Sequence, residues 1–171
     1  MSLPFLSVLA LVAASEPPVN GVSLEVPGLF WNGVEVVGER FVHSRVSVLV
    51  GLGGRFAGGG DYSVLTLGAG VGARVWLNAL RFFSDLGGPL IGLRVDTAWT
   101  SIADRQLRVA KIETLTTAVS LRLGYRFVIL RRVEITPEAG LAVSMGFDRA
   151  PWLVVVPRPS AVLGLTIGYL F

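Results

Sequence analysis

Apolar residues recur at every second position in this chain, most plainly in its last nine residues, LGLTIGYLF at 163–171. Successive side chains of a β-strand point to opposite faces, so this segment would have one apolar face and one face of small or polar residues. The apolar face would carry Leu163, Leu165, Ile167, Tyr169 and Phe171. The alternation predicts a strand with one side against an apolar medium.

The chain is strongly apolar but shows no helix long enough to span a membrane. Hydrophobic residues make up 52% of its 171 residues, and the mean hydropathy is +0.65. A spanning helix needs about 18 nearly uncharged apolar residues, and the longest apolar run covers only residues 3–14. Elsewhere, charges interrupt the pattern at intervals that suit the inner face of a tilted strand. We therefore expect one domain folded as a membrane β-barrel.

The first fifteen residues, MSLPFLSVLALVAAS, read as a secretory signal peptide cleaved near Ala14 or Ser15. They lack the positively charged start of such peptides, which leaves open a misassigned start codon or an uncleaved anchor. Residues 16–171 would then form the barrel domain.

Period-two reading predicts eight strands, at about 20–30, 34–42, 44–56, 63–77, 88–101, 113–128, 134–147 and 160–171. An even count is typical of an antiparallel up-and-down transmembrane barrel of a bacterial outer membrane, whose periplasmic turns are short and whose external loops are longer. Phe171 and the turns at 43–44, 78–87 and 130–132 would be periplasmic. The connections at 32–33, 57–62, 102–112 and 148–159 would be external. The apolar segment 152–156 either extends the last hairpin or is itself a strand, in which case 20–42 would be one element.

Three segments resemble known outer-membrane proteins. The terminal segment, with Phe171 preceded by apolar residues two and four positions earlier, resembles the signal read by the barrel-assembly machinery. Residues 22–42 are similar to the opening hairpin of a family of uncharacterised small outer-membrane barrels, with matches at Pro27, Gly33, Glu39 and Arg40 and a departure at Gly38, where Tyr is usual. LGYRF at 123–127 extends the likeness. The resemblance implies an outer-membrane location and no assigned chemistry.

The period-two register places charged residues on the inner faces of the strands, opposite a lipid-facing apolar side. An eight-stranded barrel is only wide enough to be filled by side chains, so these charges must pair or hold water. We expect a lumenal network of six acids and six arginines, since the planar guanidinium holds two carboxylates at once. The acids are Glu25, Glu35, Glu39, Asp96, Glu134 and Glu138. The arginines are Arg45, Arg55, Arg74, Arg94, Arg122 and Arg126. The alternative is a charged ion pathway.

Aromatic residues near strand ends predict two interfacial girdles. Phe41, Phe127, Tyr169 and Phe171 would form the periplasmic girdle. Phe56, Trp99 and Phe147 would form the external one.

Enzymatic chemistry is not indicated. The chain has one histidine and no cysteine, and His43 lies at a predicted periplasmic turn, where its neighbour Ser44 would face the opposite way. The loop residues Asp61, Asp104 and Asp148 lack metal-ligand spacing, so no metal or cofactor is expected. The arginines are scattered without the basic stripe that nucleic-acid binding needs.

The sequence therefore predicts a monomeric, non-enzymatic outer-membrane barrel with a filled lumen and an envelope or surface-contact role. Its partners would be outer-membrane lipid and, through the strand ending at Phe171, the barrel-assembly machinery. Two alternatives stay open: a narrow small-solute channel, and a soluble barrel that binds an apolar ligand inside. The soluble barrel requires the reverse facing, with Val48, Leu65 and Leu121 inward and Arg122 outward.

Overall fold

The computed structural model describes residues 20–26, 33–43, 45–59, 62–77, 87–104, 112–129, 132–148 and 157–171. They form eight strands: β1 (Asn20–Val26), β2 (Val34–His43), β3 (Val46–Gly59), β4 (Tyr62–Trp76), β5 (Gly88–Asp104), β6 (Ile112–Ile129), β7 (Val133–Asp148) and β8 (Arg158–Leu170). Each strand pairs with the next in antiparallel fashion, and β8 pairs with β1, so the barrel is closed. The predicted eight-stranded antiparallel barrel is confirmed. The described residues contain no membrane-spanning helix.

The strand bounds differ from the sequence prediction mainly at the glycine-rich connection. The sequence predicts a loop at residues 57–62, but β3 continues to Gly59 and β4 begins at Tyr62, with Gly58 paired to Ser63. Glycine can continue a paired strand, because the hydrogen bonds between strands join backbone N–H and C=O groups and need no side chain. The predicted signal peptide, the part of the first strand beyond residue 26 and the apolar segment 152–156 lie outside the described residues.

Long apolar side chains cover the outer surface of the barrel. Leu52 is 65% exposed, Leu121 is 55% exposed and Leu141 is 71% exposed. On the same strands the alternate positions are buried, as with Arg122 beside Leu121. This facing is the opposite of the one that a soluble ligand-binding barrel requires, since a predominantly apolar exterior belongs against lipid.

The two ends of the barrel are distinct. We call the end that holds Asn20 and Phe171 the terminal end, and the end that holds the β1–β2, β3–β4, β5–β6 and β7–β8 connections the distal end. At the terminal end, the amide of Asn20 donates to the carbonyl of Phe171 at 2.8 Å, and the amide of Phe171 donates to the carbonyl of Asn20 at 2.8 Å. This exchange closes the last strand onto the first.

The aromatic girdle prediction is wrong for Phe41. Its neighbours Arg40 and Val42 are exposed, and Phe41 itself points into the lumen with 7% of its surface exposed. The other predicted girdle residues with described side chains are on the outer surface: Phe56, Phe127, Tyr169 and Phe171 are exposed, and Trp99 is half-buried. The side chain of Phe147 lies outside the described part. The prediction for Phe41 used only its position near the end of the strand. The alternation of side chains, which decides whether a residue faces lipid or lumen, places Phe41 inside.

Candidate functional site

The lumen holds a connected set of ion pairs built from ten of the twelve residues that the sequence singles out. These residues lie on β1, β2, β4, β5, β6 and β7, at inward positions of the period-two register. The other two of the twelve, Arg45 and Arg55, are not part of these ion pairs. Arg45 is exposed in the turn before β3, next to a register irregularity at the end of β2. Arg55 is half-buried near the distal end, and no carboxylate among the described residues pairs with it.

Arg94 on β5 is the centre of the first group, which we call the central cluster: Arg94, Arg122, Glu25, Glu35 and Asp96. Its Nη1 lies 2.5 Å from Glu25 Oε2 and its Nε lies 2.6 Å from Asp96 Oδ1. Its Nη2 donates to Glu35 Oε1. One guanidinium thus contacts three carboxylates, one through each of its three nitrogen atoms.

Arg122 on β6 ties the central cluster together. Its Nη1 lies 2.6 Å from Glu25 Oε1 and 3.4 Å from Glu138 Oε2, and its Nη2 lies 3.7 Å from Asp96 Oδ2. Its Nε donates to Ser120 Oγ at 3.2 Å. Because Glu138 also contacts Arg74, Arg122 connects the central cluster to the groups nearer the terminal end.

The second group, the terminal cluster, contains Arg74, Arg126, Glu39 and Glu134. Arg74 Nη2 lies 2.6 Å from Glu138 Oε1, and its Nη1 lies 3.4 Å from Glu39 Oε2. The second oxygen of Glu39 accepts a hydrogen bond from Ser47 Oγ at 2.5 Å. Glu39 therefore has partners on β3 and β4, and Arg126 adds a third from β6.

Arg126 is fully buried and is held by both charge and aromatic rings. Its Nη2 donates to Glu39, and its Nε lies 2.8 Å from Glu134 Oε2. The guanidinium carbon lies 4.3 Å from the Trp76 ring centroid and 5.2 Å from that of Phe41. The two rings stack with centroids 5.8 Å apart. This arrangement fills the terminal end with a cation–π contact, which is strengthened by removal from water.

Sequence reasoning missed the aromatic part of this cluster. It places Phe41 in the girdle and does not single out Trp76. A usable signal was present: Trp76 stands two residues after the inward Arg74, so the alternation places both on the inner face.

Two ion pairs among the described residues cross the full width of the lumen. β1 and β5 are four strands apart in the closed order, and so are β2 and β6. Arg94 on β5 contacts Glu25 on β1, and Arg126 on β6 contacts Glu39 on β2. Side chains from opposite walls therefore meet in the middle of the barrel.

The network contains fewer arginines than the six acids and six arginines that the sequence predicts. It contains four guanidiniums, from Arg74, Arg94, Arg122 and Arg126, and six carboxylates, because Arg45 and Arg55 lie elsewhere. Counted as fully ionised groups, four positive and six negative charges leave a formal charge of −2. Sharing of each guanidinium between carboxylates follows from this shortage of cations.

Inward glycines leave the volume that these side chains occupy. A Cβ at Gly70 would lie 2.7 Å from Arg94 Nη2, and one at Gly51 would lie at the same distance from that atom. A Cβ at Gly168 would lie 2.7 Å from Glu134 Oε1. These separations are shorter than ordinary van der Waals contact, so a side chain here would displace the ion pairs.

The distal half of the lumen has a different lining. On β4, β5 and β6 the inward positions towards the distal end include Thr66, Ala98, Thr100 and Thr116. Thr66 Oγ1 and Thr100 Oγ1 are 3.2 Å apart, a hydrogen bond across the β4–β5 pair. A Cβ at Gly146 on β7 would lie 3.8 Å from its nearest atom, Thr116 Oγ1. Small and hydroxyl-bearing residues therefore make up much of the lining of this half.

The single histidine lies outside the lumen. His43 is exposed at the end of β2, and the amide of Arg45 donates to its Nδ1 at 3.4 Å. Within the described ranges, no three side chains of the His, Cys, Asp or Glu type are placed to hold a metal ion. In the β6–β7 turn, at the same end of the barrel, the hydrogen bond from Arg132 to the Tyr169 hydroxyl raises the pKa of the Arg132 guanidinium.

Solved structures with a similar fold are outer-membrane barrels. The chain aligns with Neisserial surface protein A (NspA) at a TM-score of 0.57 and 11% sequence identity, covering 90% of this chain and 94% of that one. It aligns with a major outer membrane protein from Thermus thermophilus at a TM-score of 0.53 and 10% identity, covering 91% of this chain and 100% of that one. No family model and no curated protein sequence matches the chain. The relation to an uncharacterised barrel family therefore stays a prediction, whereas the fold is that of small bacterial outer-membrane β-barrels.

Proposed function

We propose that this protein is an integral barrel of the bacterial outer membrane whose lumen is closed by its ion-pair network, and that it serves the envelope as a structural or surface-contact element without catalysing a reaction. The apolar exterior supports the location, since lipid is the medium that such a surface matches. The eight-stranded outer-membrane barrel fold agrees with it.

The observation that carries the closed lumen is the set of contacts between opposite walls. Arg94 with Glu25, and Arg126 with Glu39, each join strands four positions apart in the barrel. Arg126, Trp76 and Phe41 then fill the terminal end below them. A solute would have to separate buried ion pairs in order to pass, which costs several kcal/mol for each charge left without its partner.

The absence of catalysis is proposed from the placement of reactive groups. His43 is exposed at the terminal rim, whereas the Ser47, Ser120 and Ser23 hydroxyls are buried in the lumen. General-base catalysis needs the imidazole within hydrogen-bond reach of its nucleophile. The buried carboxylates pair with guanidiniums, so they are engaged in holding the network.

A small-solute channel is the second candidate, and the distal half of the lumen favours it. That half is lined by residues such as Thr66, Thr100 and Ala98, which leave more space than the charged groups do. Solutes could enter there from the distal end. The terminal cluster would still stand in their path.

Two partners proposed from the sequence concern the outer surface. Membrane lipid would contact the apolar exterior, and the assembly machinery would bind β8, the strand that closes the barrel against β1. The orientation proposed with them places the terminal end in the periplasm.

Fractionation and solute flux test the proposal together. We expect the protein in the outer-membrane fraction, with electrophoretic migration that changes on heating, and we expect vesicles containing it to exclude small sugars in a swelling assay. Recovery in the soluble fraction would contradict the location. Rapid swelling with correctly folded protein would favour the channel instead.

A further inference from the structure

Positively charged side chains lie around one side of the terminal end. Arg40 is exposed on the outer face of β2, Arg45 is exposed in the turn before β3, and Arg132 is exposed in the turn before β7. We call these three residues the terminal arc. Glu39 and Glu134, the acids nearest to them in sequence, point into the lumen instead. Within the described residues of this part of the rim, the exposed charge is therefore positive.

The arc is continuous along the rim. The Leu170 amide donates to the Arg132 carbonyl at 2.7 Å, which seats that turn against the end of β8. Phe171 exchanges backbone hydrogen bonds with Asn20, and Asn20 lies opposite Arg40 in the β1–β2 pair. From β7 to β2 there are three interstrand steps of about 4.8 Å, roughly 14 Å in all.

Charge is rare on the outer faces of the strands. Among the strand residues whose side chains are described, the outward positions carry only two charged groups, Arg40 near the terminal end and Glu113 near the distal end. A guanidinium at the edge of an apolar band has its favourable position at the headgroup level, with its stem along the lipid chains. Arg40 is placed in this way.

Arg132 is held in position by an aromatic neighbour. Its Nη1 donates to the Tyr169 hydroxyl at 2.7 Å, and its guanidinium carbon lies 5.9 Å from the Tyr169 ring centroid. Tyr169 is 43% exposed on the outer surface, where tyrosine favours the membrane interface. The other N–H groups of Arg132 keep their capacity to donate, because a guanidinium carries about five N–H donors.

We propose that the terminal arc binds the phosphate groups of anionic phospholipids in the membrane leaflet at the terminal end. This inference rests on the proposed membrane location. Arginine suits the role because its fork donates two parallel hydrogen bonds to a phosphate. The exposed rings of Tyr169 and Phe171 between Arg132 and Arg40 would contact the upper part of the lipid chains.

Lipid selectivity measured by native mass spectrometry tests the proposal. The protein is inserted into bilayers that mix phosphatidylcholine and phosphatidylglycerol, and the ratio of the two lipids that remain bound is recorded. We expect the natural chain to retain phosphatidylglycerol preferentially. In the double variant Arg40→Gln/Arg132→Gln, that preference should fall by roughly fivefold for each guanidinium removed, the scale for one basic residue at an anionic surface.

Arg158→Gln is the matched control, since Arg158 is exposed at the distal end of β8. It should keep the preference for phosphatidylglycerol. Equal retention by the natural chain and the double variant would overturn the proposal, and so would an equal loss in the control. Competition by inorganic phosphate as effective as that by lipid would show a site for free anions, which also contradicts it.

Insertion is scored separately, by heat-modifiable migration in bilayers of phosphatidylcholine alone. A chain that fails to insert there would contradict the membrane location itself. A chain that inserts but shows no lipid preference contradicts only the role of the terminal arc.

Discussion

The two halves of the lumen are built on the same strands but filled differently. Towards the terminal end, β4 to β7 present charged inward residues that meet side chains from the opposite wall. Towards the distal end, the inward residues of the same strands are mostly short, such as Thr66, Thr100 and Ala98, and the hydrogen bond between Thr66 and Thr100 joins neighbouring strands. The closed barrel is continuous through both halves.

This difference separates two ways in which a narrow barrel can be stabilised. The distal half relies on the backbone ladder and on short side chains that lie close to the wall. The terminal half adds long side chains that must be correctly paired, because a buried charge without its partner is costly. Substitutions in the terminal half should therefore have the larger effects on stability, and the following variants compare the halves from the largest expected effect to the smallest.

Arg126→Met should give the largest loss of stability. It keeps an apolar stem beside Trp76, but it removes the Arg126–Glu134 contact and leaves Glu39 with Arg74 as its guanidinium partner. We expect the free energy of unfolding to fall by about 3–5 kcal/mol, the usual effect of removing one partner of a buried ion pair. Urea unfolding in lipid vesicles, followed by heat-modifiable migration, measures it.

Arg55→Met is the matched control for that variant. Arg55 is half-buried in the distal half and has no carboxylate partner among the described residues. The free energy of unfolding should change by no more than about 0.5 kcal/mol, as for a substitution away from a buried network. Equal losses from the two arginines would remove the distinction between the halves.

Glycine-to-alanine variants compare the space in the two halves. In Gly70→Ala the new methyl group would meet Arg94 and Asp96, so we expect a loss of about 1–3 kcal/mol from overpacking. In Gly146→Ala the nearest atom is 3.8 Å away, and stability should be kept within about 0.5 kcal/mol. Urea midpoints at constant slope give both values. A tolerated Gly70→Ala would mean that the network rearranges freely.

Thr66→Val should have a smaller effect than Arg126→Met or Gly70→Ala, the two substitutions in the charged network. The substitution keeps the shape of the side chain and removes the hydrogen bond to Thr100. A loss of about 0.5–1.5 kcal/mol is expected for one hydrogen bond. A loss as large as that from Arg126→Met would show that the distal half is also a tightly coupled network.

The barrel could be predicted well from the sequence because its signal is local. Alternation between adjacent residues indicates both that a segment is a strand and which of its side chains face outward. The eight strands and the outward positions of Leu65, Leu121 and Ile167 could be predicted in this way. The predicted loop at 57–62 is too long because glycine marks turns in general, whereas here Gly58 and Gly59 continue the β3–β4 pairing.

The details of the lumen depend on contacts between distant residues, which alternation does not encode. Inward facing could be read for Arg94 and Glu25, but their pairing across the barrel depends on strand order and stagger. Counting every second residue back along β3 assigns Arg45 to the lumen. In the structure Arg45 lies in the turn after the last paired residue of β2, where the alternation no longer applies. Nearness to a strand end assigns Phe41 to the girdle, and the aromatic contact with Arg126 is missed for that reason.

Single-channel recording in planar bilayers is the most direct test of the closed lumen. It should compare the natural chain with a variant that removes both ion pairs between opposite walls, Glu25→Ser/Arg94→Ser with Glu39→Ser/Arg126→Ser, and with Arg55→Ser as a distal control. We predict no steady conductance for the natural chain or for Arg55→Ser, and a measurable conductance for the variant without these two ion pairs. Large, steady conductance from the folded natural chain would contradict the closed lumen.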